Sequence, residues 1–497
     1  MINGPNLIIL PGAILVGGAF LIYLVSWLFR FRNRVIAILT VLTLAAALIS
    51  LVMLFDLIPG FYLDPDAVVG TSEPGGILYR PNGLGVFILI VATVIGLLIT
   101  IYSGEYLSRD PRFLTYYPLV LLTLAGLMGM FMSSNLFNLF MLTELTTITA
   151  SALVAFRFQQ EIAIKAGFKY LIMSSLGTMT MLLGIYYVYR STGAMHLDQA
   201  LVSPDHFTRI GAACFLLGFS LKAGVVPLHT WVPDVYGHAP SAVSGLLAGV
   251  LSKSMLFILP VVCLRLGMTR GELGGYLMVF ACFNMLLGSV RMLRQTLYRR
   301  FLSFSSIAQT GYLMFGLGMG FYFDLPQAFS AGLFLFLVIA VMKCLAFLSA
   351  GVYQFHTGSQ DISRLQGIGR LMPFTALGFS TALAGLAGIP LLAGFTGKWL
   401  IFSAALLAGD LFAILCLLVF TVSTLISLGG YLPTLIRQYQ MPSPEVEALM
   451  AGKKQAPNVS HWMSVPVGLL AFLVIIMGIY PTPWISLVEW VIQWMVI

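Results

Sequence analysis

Long apolar runs separated by short polar links dominate the pattern along this chain of 497 residues. A helix needs roughly 20 apolar residues to cross the hydrocarbon core of a bilayer. The pattern therefore predicts an all-α polytopic membrane protein with about fourteen transmembrane helices. The predicted spans are residues 6–28, 35–58, 84–107, 117–131, 135–156, 163–189, 210 to a break near 227, 241–266, 276–292, 302–320, 328–352, 373–408 with a break near 390, 411–435 and 465–480. The remaining tail, 481–497, is amphipathic, and its tryptophans (Trp484, Trp490 and Trp494) are predicted to lie at the membrane interface.

Composition supports the membrane assignment. Hydrophobic residues make up 59% of the chain and charged residues only 9%, against about 25% charged residues in soluble domains. The net charge of +8 does not indicate nucleic-acid binding, because the basic residues sit mainly in short links between apolar runs. The five cysteines lie in or beside apolar runs without a CxxC pair, which predicts buried thiols rather than disulfides or a metal site.

The distribution of basic residues predicts an orientation. With fourteen spans, the main clusters all fall on one side, which the positive-inside rule makes cytoplasmic. These clusters comprise Arg30, Arg32, Arg34, Arg109, Arg112, Arg157, Lys165, Lys169, Arg291, Arg294, Arg299, Arg300, Arg364, Arg370, Arg437, Lys453 and Lys454. Both termini would then face outward, in the cytoplasmic (inner) membrane of a bacterium or archaeon.

Residues 218–255 carry the most unusual pattern, because Lys222 and Lys253 lie inside apolar helices on either side of a proline-rich segment. A lysine at the centre of a spanning helix costs roughly 2.5–3.5 kcal/mol on insertion scales. Irregular backbone at membrane depth is tolerated only inside protein or beside water. Together these features predict an ion path.

Two predicted spans share an interruption, with a lysine beside small residues and a proline. The first interruption is at 222–227 and the second at 388–398. Paired interrupted helices indicate an inverted-repeat transporter. The predicted organisation is an N-terminal three-helix segment (1–114), a first inverted five-helix repeat (115–268), a second (269–436), and a loop, a last helix and an interfacial tail (437–497).

Several stretches give the chain a resemblance to a known family. They are IYSGEY at 101–106, NLFNLFMLTE at 135–144, the segment 218–253, LSFSSIAQ at 302–309 and AGIPLLAGFTGK at 387–398. With these stretches the chain resembles, over about residues 83–433, the antiporter-like subunits shared by respiratory complex I, Mrp-type Na⁺/H⁺ antiporters and energy-converting membrane-bound hydrogenases.

The resemblance implies a proton relay. It makes Glu144 the partner of Lys222, Lys253 a central site and Lys398 the terminal site of a water-filled channel. The chemistry fits these residue types, because burial disfavours the charged form of a lysine and a nearby carboxylate favours it. Movement of a neighbouring charge can therefore load or unload a proton, whereas an arginine would stay charged.

Other polar residues admit two interpretations each. Lys343 is a link between Lys253 and Lys398 or a lysine that extends to an interface; the histidines that some family members carry before it are Ile339 and Leu335 here. His229 and His238 either gate the path on the cytoplasmic side or pack structurally. Serines, Gln309 and Thr310 in 303–310 either line a water file or bond back to their own helix.

No haem-ligand histidine pair, Cys₄ set, P-loop or Rossmann fingerprint is recognisable, so the sequence predicts no cofactor or metal in this chain. The resemblance implies iron–sulfur clusters or flavin in partner subunits. It also implies homologous antiporter-like subunits and small membrane subunits as partners, within the lipid bilayer. The predicted function is proton translocation in a complex I-type or hydrogenase-type oxidoreductase. The alternatives are a subunit of an Mrp-type antiporter without redox input, a scaffold that has lost transport, and a quinone-reducing subunit.

Overall fold

The computed structural model describes residues 4–29, 32–63, 69–70, 78–110, 112–197, 205–444, 446–447 and 459–494. These residues are mostly helical, as the sequence predicts. The helices are α1 (Gly4–Phe29), α2 (Asn33–Leu63), α3 (Gly83–Tyr106), α4 (Phe113–Met132), α5 (Leu136–Val154), α6 (Glu161–Thr192), α7 (His206–Ala223), α8 (Val232–His238), α9 (Ser241–Leu246), α10 (Ser252–Arg265), α11 (Arg270–Leu293), α12 (Tyr298–Tyr322), α13 (Pro326–Thr357), α14 (Ile368–Leu371), α15 (Pro373–Ala387), α16 (Ala393–Ala408), α17 (Leu411–Arg437), α18 (His461–Ile479) and α19 (Thr482–Gln493). A π-helical turn (Leu247–Leu251) joins α9 to α10, and a 3₁₀ turn (Ser363–Leu365) precedes α14. Strands β1 (Val69–Gly70) and β2 (Leu78–Tyr79) pair antiparallel.

Within the described ranges, eleven segments are long and apolar enough to cross a membrane. They are α1–α6, the α9–α10 segment, α11, α13, α17 and α18. The remaining predicted spans correspond to α7, α12 and the pair α15–α16. These helices are short or more polar: α7 has 18 residues, α15 and α16 have 15 and 16, and α12 carries two arginines and several hydroxyl groups. The predicted count of fourteen is therefore not confirmed.

Both predicted helix breaks are present. Helix α7 ends at Gly224, which has φ 72°, and α15 ends at Gly388, which has φ 89°. Glycine adopts this left-handed conformation without the steric cost of a Cβ, which explains why each helix stops there. Lys222 lies just before the first break, whereas Lys398 lies after the second, in α16. The two lysines therefore occupy different sides of their breaks.

The second break depends on close packing of its two halves. A Cβ at Gly394, in the first turn of α16, would overlap the carbonyl oxygen of Gly385 in α15. We expect Gly394→Ala to force the two halves apart and to lower the free energy of unfolding by about 1–3 kcal/mol. The measurement is the thermal unfolding midpoint of the purified protein in detergent. The matched control is Gly429→Ala in α17, where a Cβ would meet open space; equal midpoints for the two variants would contradict this account.

Helix α13 forms the axis of the fold. The most apolar window of this helix is entirely buried, and the helix packs against α3, α9, α12, α15, α16 and α18. Peripheral helices such as α1, α6 and α17 instead expose many large apolar side chains, which suits contact with lipid or with other membrane subunits. Helix α19 packs against α3 and α13, and the Trp490 ring lies 4.7 Å from the Phe55 ring. The predicted interface tryptophans thus make contacts within the protein.

Ion pairs link the connecting segments at each end of the bundle. One end, which carries most of the basic clusters, holds Arg34–Glu105, Arg157–Asp110 and Arg300–Asp234. The opposite end holds Arg209–Glu272 and Arg270–Asp324. Arg34, Arg157 and Arg300 thus lie at the same end of the bundle, as the sequence predicted when it placed their clusters on one side of the membrane. Arg30, Lys453 and Lys454, which also contribute to the predicted orientation, lie outside the described residues.

Candidate functional site: a buried row of lysines

Four lysines lie inside the helix bundle. Their exposed fractions are 8% for Lys222, 1% for Lys253, 0% for Lys343 and 6% for Lys398. Among the described residues, no carboxylate lies within ion-pair distance of any of them; the ion pairs found there involve other residues. Hydroxyl and carbonyl groups surround them instead. Such buried cations, held by neutral dipoles, are rare in a stable protein without a functional reason.

Lys222 contacts α5, as the resemblance implies, but through a threonine. The Lys222 ammonium donates to the Thr147 hydroxyl. Glu144, one turn earlier on α5, faces α6, where its carboxylate accepts from Thr178 at 2.6 Å and from Ser175 at 3.2 Å. In the described part of the chain, no hydrogen bond or ion pair joins Lys222 directly to Glu144. Glu144 on α5 and Lys222 on α7 are therefore held by different hydroxyl groups.

A small cavity separates Lys222 from the next lysine. It has a volume of about 20 Å³, and its lining includes Lys222, Thr147, Tyr236 and Ser252. A water molecule needs at least 10–15 Å³ and several polar partners, so this space admits about one. On its far side, the Ser252 hydroxyl accepts from Tyr236 at 3.0 Å and from Lys253 at 3.2 Å. The cavity thus connects the Lys222 site with the Lys253 site.

Helix α12 holds the next two lysines by consecutive serines. Lys253 donates to the Ser306 hydroxyl at 2.6 Å. Lys343 donates to the Ser305 hydroxyl and to the Leu302 carbonyl oxygen, the latter at 3.0 Å. The Lys343 side chain therefore ends at α12, in the middle of the protein, and not at an interface.

Lys398 is held by the broken end of α15. Its ammonium donates to the carbonyl oxygens of Leu386 at 2.9 Å and Ala387 at 3.1 Å, and lies 4.9 Å from the centre of the Tyr312 ring. Carbonyl groups at a helix C-terminus carry partial negative charge, so they stabilise an ammonium group. Gln309 of α12 donates to the same Leu386 oxygen at 3.4 Å. A cavity of about 220 Å³ beside Lys398, whose lining includes four aromatic side chains such as Trp399, reaches the outer surface of the bundle.

The two candidate histidines lie around α8, the short helix between Lys222 and Lys253. His238 is in its last turn, and the His238 Nδ1 atom lies 2.8 Å from the Asp234 carbonyl oxygen. His229 lies half-buried in the turn before α8. Within the described part of the chain, no hydrogen bond joins either histidine to the four lysines. The structure does not bring these two histidines into the lysine row.

Asp234 fastens α8 to its neighbours. The Asp234 carboxylate accepts from Lys169 of α6 at 2.5 Å and from Arg300 of α12 at 3.4 Å. Asp234 therefore forms ion pairs with both a lysine and an arginine. These pairs are about one-third exposed, so their contribution to stability is small.

Sequence reasoning missed several residues of the site. Thr147 and Ser252 had a usable signal, since each lies within one helical turn of a candidate residue in the sequence. Tyr431, whose hydroxyl donates to Ser305 at 2.6 Å, had none. Arg299 was counted as a loop charge, yet it is fully buried and donates to the Ser244 hydroxyl at 3.0 Å and to the Ala239 carbonyl. It fastens the α8–α9 turn to α12.

The described residues contain no group of three or more histidine, cysteine, aspartate or glutamate side chains that could hold a metal ion. The five cysteines are free thiols, four of them buried. What the site offers is a chain of titratable ammonium groups linked by hydroxyl groups, which can accept and pass protons.

A bundle of membrane-spanning helices with interrupted helices and a buried row of lysines defines a transport-type membrane protein. Comparison with known proteins identifies the family within this class. A family model described as "NADH:quinone oxidoreductase/Mrp antiporter, TM" matches residues 133–427, and one described as "NADH-Ubiquinone oxidoreductase (complex I), chain 5 N-terminus" matches residues 78–117. The chain belongs to this family of antiporter-like membrane subunits, which confirms the resemblance seen in the sequence.

Individual relatives agree with the family assignment. The chain is 30% identical over 445 residues to the NADH-quinone oxidoreductase subunit N of Desulforudis audaxviator, covering 86% of this chain and 87% of that protein. It is also 30% identical over 423 residues to the F(420)H(2) dehydrogenase subunit N of Methanosarcina mazei, covering 82% and 83%. In fold it is similar to a chain of the Mrp complex from Dietzia sp., with a TM-score of 0.84 and 21% identity over 99% of this chain and 97% of that chain.

Proposed function

We propose that this chain translocates protons through the row formed by Glu144, Lys222, Lys253, Lys343 and Lys398, as the ion-moving subunit of a complex I-type or hydrogenase-type oxidoreductase. Relatives named as subunits of NADH-quinone oxidoreductase and F(420)H(2) dehydrogenase support the class of complex. In this proposal the protein is multi-pass in a bacterial or archaeal cytoplasmic membrane with both termini outward, as the basic clusters favour.

One observation carries the proposal: a single helix serves three of the lysines. Ser306 of α12 accepts from Lys253, Ser305 accepts from Lys343, and Gln309 shares the Leu386 carbonyl with Lys398. A purely structural bundle has no need of three buried ammonium groups along one helix, because well-packed apolar residues would serve as well or better. Serine hydroxyls can both donate and accept, which proton transfer between neighbouring lysines requires.

The energy for transport would come from neighbouring subunits. A buried lysine changes its protonation when a nearby charge moves, and Glu144, at the outer end of the row, is the carboxylate best placed to receive such a signal. Iron–sulfur clusters or flavin would lie in redox partner subunits, and homologous and small membrane subunits would lie beside this chain.

An Mrp-type antiporter subunit is the second candidate, supported by the similarity in fold to a chain of the Mrp complex. The row of lysines would operate in the same way, driven by an ion gradient in place of electron transfer. A transport-inactive scaffold is disfavoured because burial of a lysine within the membrane costs free energy, which a scaffold would have no reason to spend. Each buried lysine also retains hydrogen-bonding partners.

The test is to purify the complex that contains this chain, to identify its subunits by mass spectrometry, and to measure proton uptake after reconstitution in vesicles. Copurified iron–sulfur subunits, together with uptake that requires an electron donor, would establish the oxidoreductase. Uptake driven by a sodium gradient, with membrane subunits alone, would establish the antiporter. A complex that moves no protons under either condition would refute both and leave the scaffold.

A further inference from the structure

A third cavity, separate from the row of lysines, lies at the end of the bundle that carries most of the basic clusters. Its volume is about 340 Å³, within the usual range for small-molecule sites. Residues of the links after α3 and α5 and of the end of α13 line it. Those that determine its chemistry are Arg109, Arg112, Arg157, Asp110, Phe158 and Phe355. We call it the arginine cavity.

Each arginine of the arginine cavity is oriented by an aromatic ring. The guanidinium carbon of Arg109 lies 4.3 Å from the centre of the Phe355 ring, and that of Arg112 lies 3.7 Å from the Phe158 ring. The Arg157 guanidinium lies 4.9 Å from the Tyr106 ring. A ring over the flat face of a guanidinium group leaves the N–H donors, which point outward in the plane, available for a ligand at Arg109 and Arg112. Arg157 already donates to the Tyr106 hydroxyl at 3.3 Å and to the Asp110 carboxylate at 3.1 Å. The cavity is therefore pre-organised for an acceptor.

The charges in the arginine cavity do not balance. Its lining holds three arginines and one aspartate, a difference of two positive charges. Arg157 donates to the Asp110 carboxylate at 3.1 Å, so the single acid is already engaged. Although burial opposes the charge of Arg157, Tyr106 and Asp110 raise its pKa above the ordinary value, so it stays charged. Among the described residues, the ion pairs include neither Arg109 nor Arg112.

We propose that the arginine cavity binds a phosphate group, presented either by the headgroup of an acidic phospholipid or by a free phosphate compound. Planar guanidinium groups bind phosphate oxygens through paired, charge-assisted hydrogen bonds. A lipid source fits the location, because Phe158, Ile162 and Ile164, which follow one another closely in the sequence where α6 begins, all have exposed apolar side chains. Basic pockets beside membrane helices are suited to the headgroups of acidic lipids.

The first test measures retained lipid. The intact complex is reconstituted in nanodiscs of phosphatidylcholine with phosphatidylglycerol, extracted gently, and the phosphatidylglycerol bound per chain is counted by native mass spectrometry. We expect the double variant Arg109→Gln/Arg112→Gln to weaken binding at this site about tenfold or more, since two charge-assisted contacts are lost. The matched control is Arg294→Gln, an exposed arginine at the same end of the bundle that does not line the cavity.

A second test needs no variant, so a folding defect cannot obscure the result. Phenylglyoxal labels accessible arginines, and mass spectrometry reports the labelling of Arg109 and Arg112 with Arg294 as the internal reference. Protection of the two cavity arginines by phosphatidylglycerol alone would identify a lipid site. Protection by millimolar inorganic phosphate in pure phosphatidylcholine vesicles would identify a site for a soluble phosphate compound. Unchanged labelling in both conditions, with equal lipid retention by the double variant and the control, would overturn the proposal.

Discussion

We expect Lys222→Met to abolish coupled proton uptake, by about a hundredfold or more, while the complex still assembles. Methionine fills most of the lysine volume, and replacement of a buried charge by an apolar side chain is often neutral for folding. The proton-accepting group between the Thr147 hydroxyl and the small cavity would be lost. The measurement is the quenching of a pH-sensitive dye in vesicles that contain the variant complex, with subunit content checked by mass spectrometry.

Glu144→Gln tests the carboxylate of the proposed relay, as Lys222→Met tests the lysine. The amide keeps a group that can accept from Thr178 and Ser175 but removes the negative charge near Lys222. We expect a loss of uptake similar to that of Lys222→Met. The control is Lys165→Met on α6, which removes an exposed lysine paired with Glu161 at 2.6 Å and should leave uptake unchanged. Uptake at the wild-type rate in Lys222→Met would show that protons do not pass through this lysine.

The second large effect is expected for Lys398→Arg. An arginine retains the positive charge and can donate to the Leu386 and Ala387 carbonyl oxygens, and the adjacent cavity of about 220 Å³ leaves space for the larger group. It cannot release a proton under physiological conditions. We therefore expect a stable, assembled complex whose proton uptake falls about a hundredfold.

This variant separates charge from proton transfer. If Lys398 only neutralises the end of α15, arginine substitutes for it and uptake persists, which would remove Lys398 from the relay. If Lys398 carries a proton, uptake is lost although the thermal unfolding midpoint matches that of the wild type. Trp399→Phe, which alters the lining of the same cavity without touching a titratable group, is the matched control.

Apolar length predicted most of the fold. The spans from α1 to α6 and α17 begin and end close to the predicted residues, because a run of about 20 apolar residues has few alternatives to a membrane helix. The breaks after Ala223 and Ala387 were also predictable, since glycine and proline combine there. The count of fourteen could not be confirmed by length and composition, because α12 carries the serines that hold Lys253 and Lys343 and is therefore less apolar. In addition, α7, α15 and α16 are short, with 18, 15 and 16 residues.

The partners of the lysines were harder to predict than the lysines themselves. The resemblance makes Glu144 the partner of Lys222, but the α5 side chain in contact with Lys222 is Thr147, one turn after Glu144. Lys398 binds backbone carbonyls, which every residue possesses and which sequence therefore cannot single out. The arginine cavity depends on links far apart in the chain that meet only in the folded bundle, so no local pattern marks it.

The links between the lysines have a thermodynamic consequence for the direction of transport. Ser252, Ser305 and Ser306 carry hydroxyls, which can both donate and accept a hydrogen bond, so such a link can pass a proton in either direction. If protons follow the proposed relay, its interior conducts them in either sense and has no rectification of its own. A net current in one sense has to be imposed at the boundaries, where Glu144 faces α6 and where Lys398 borders an open cavity. Reversal of the driving force on the assembled complex should then reverse the flow through the same groups.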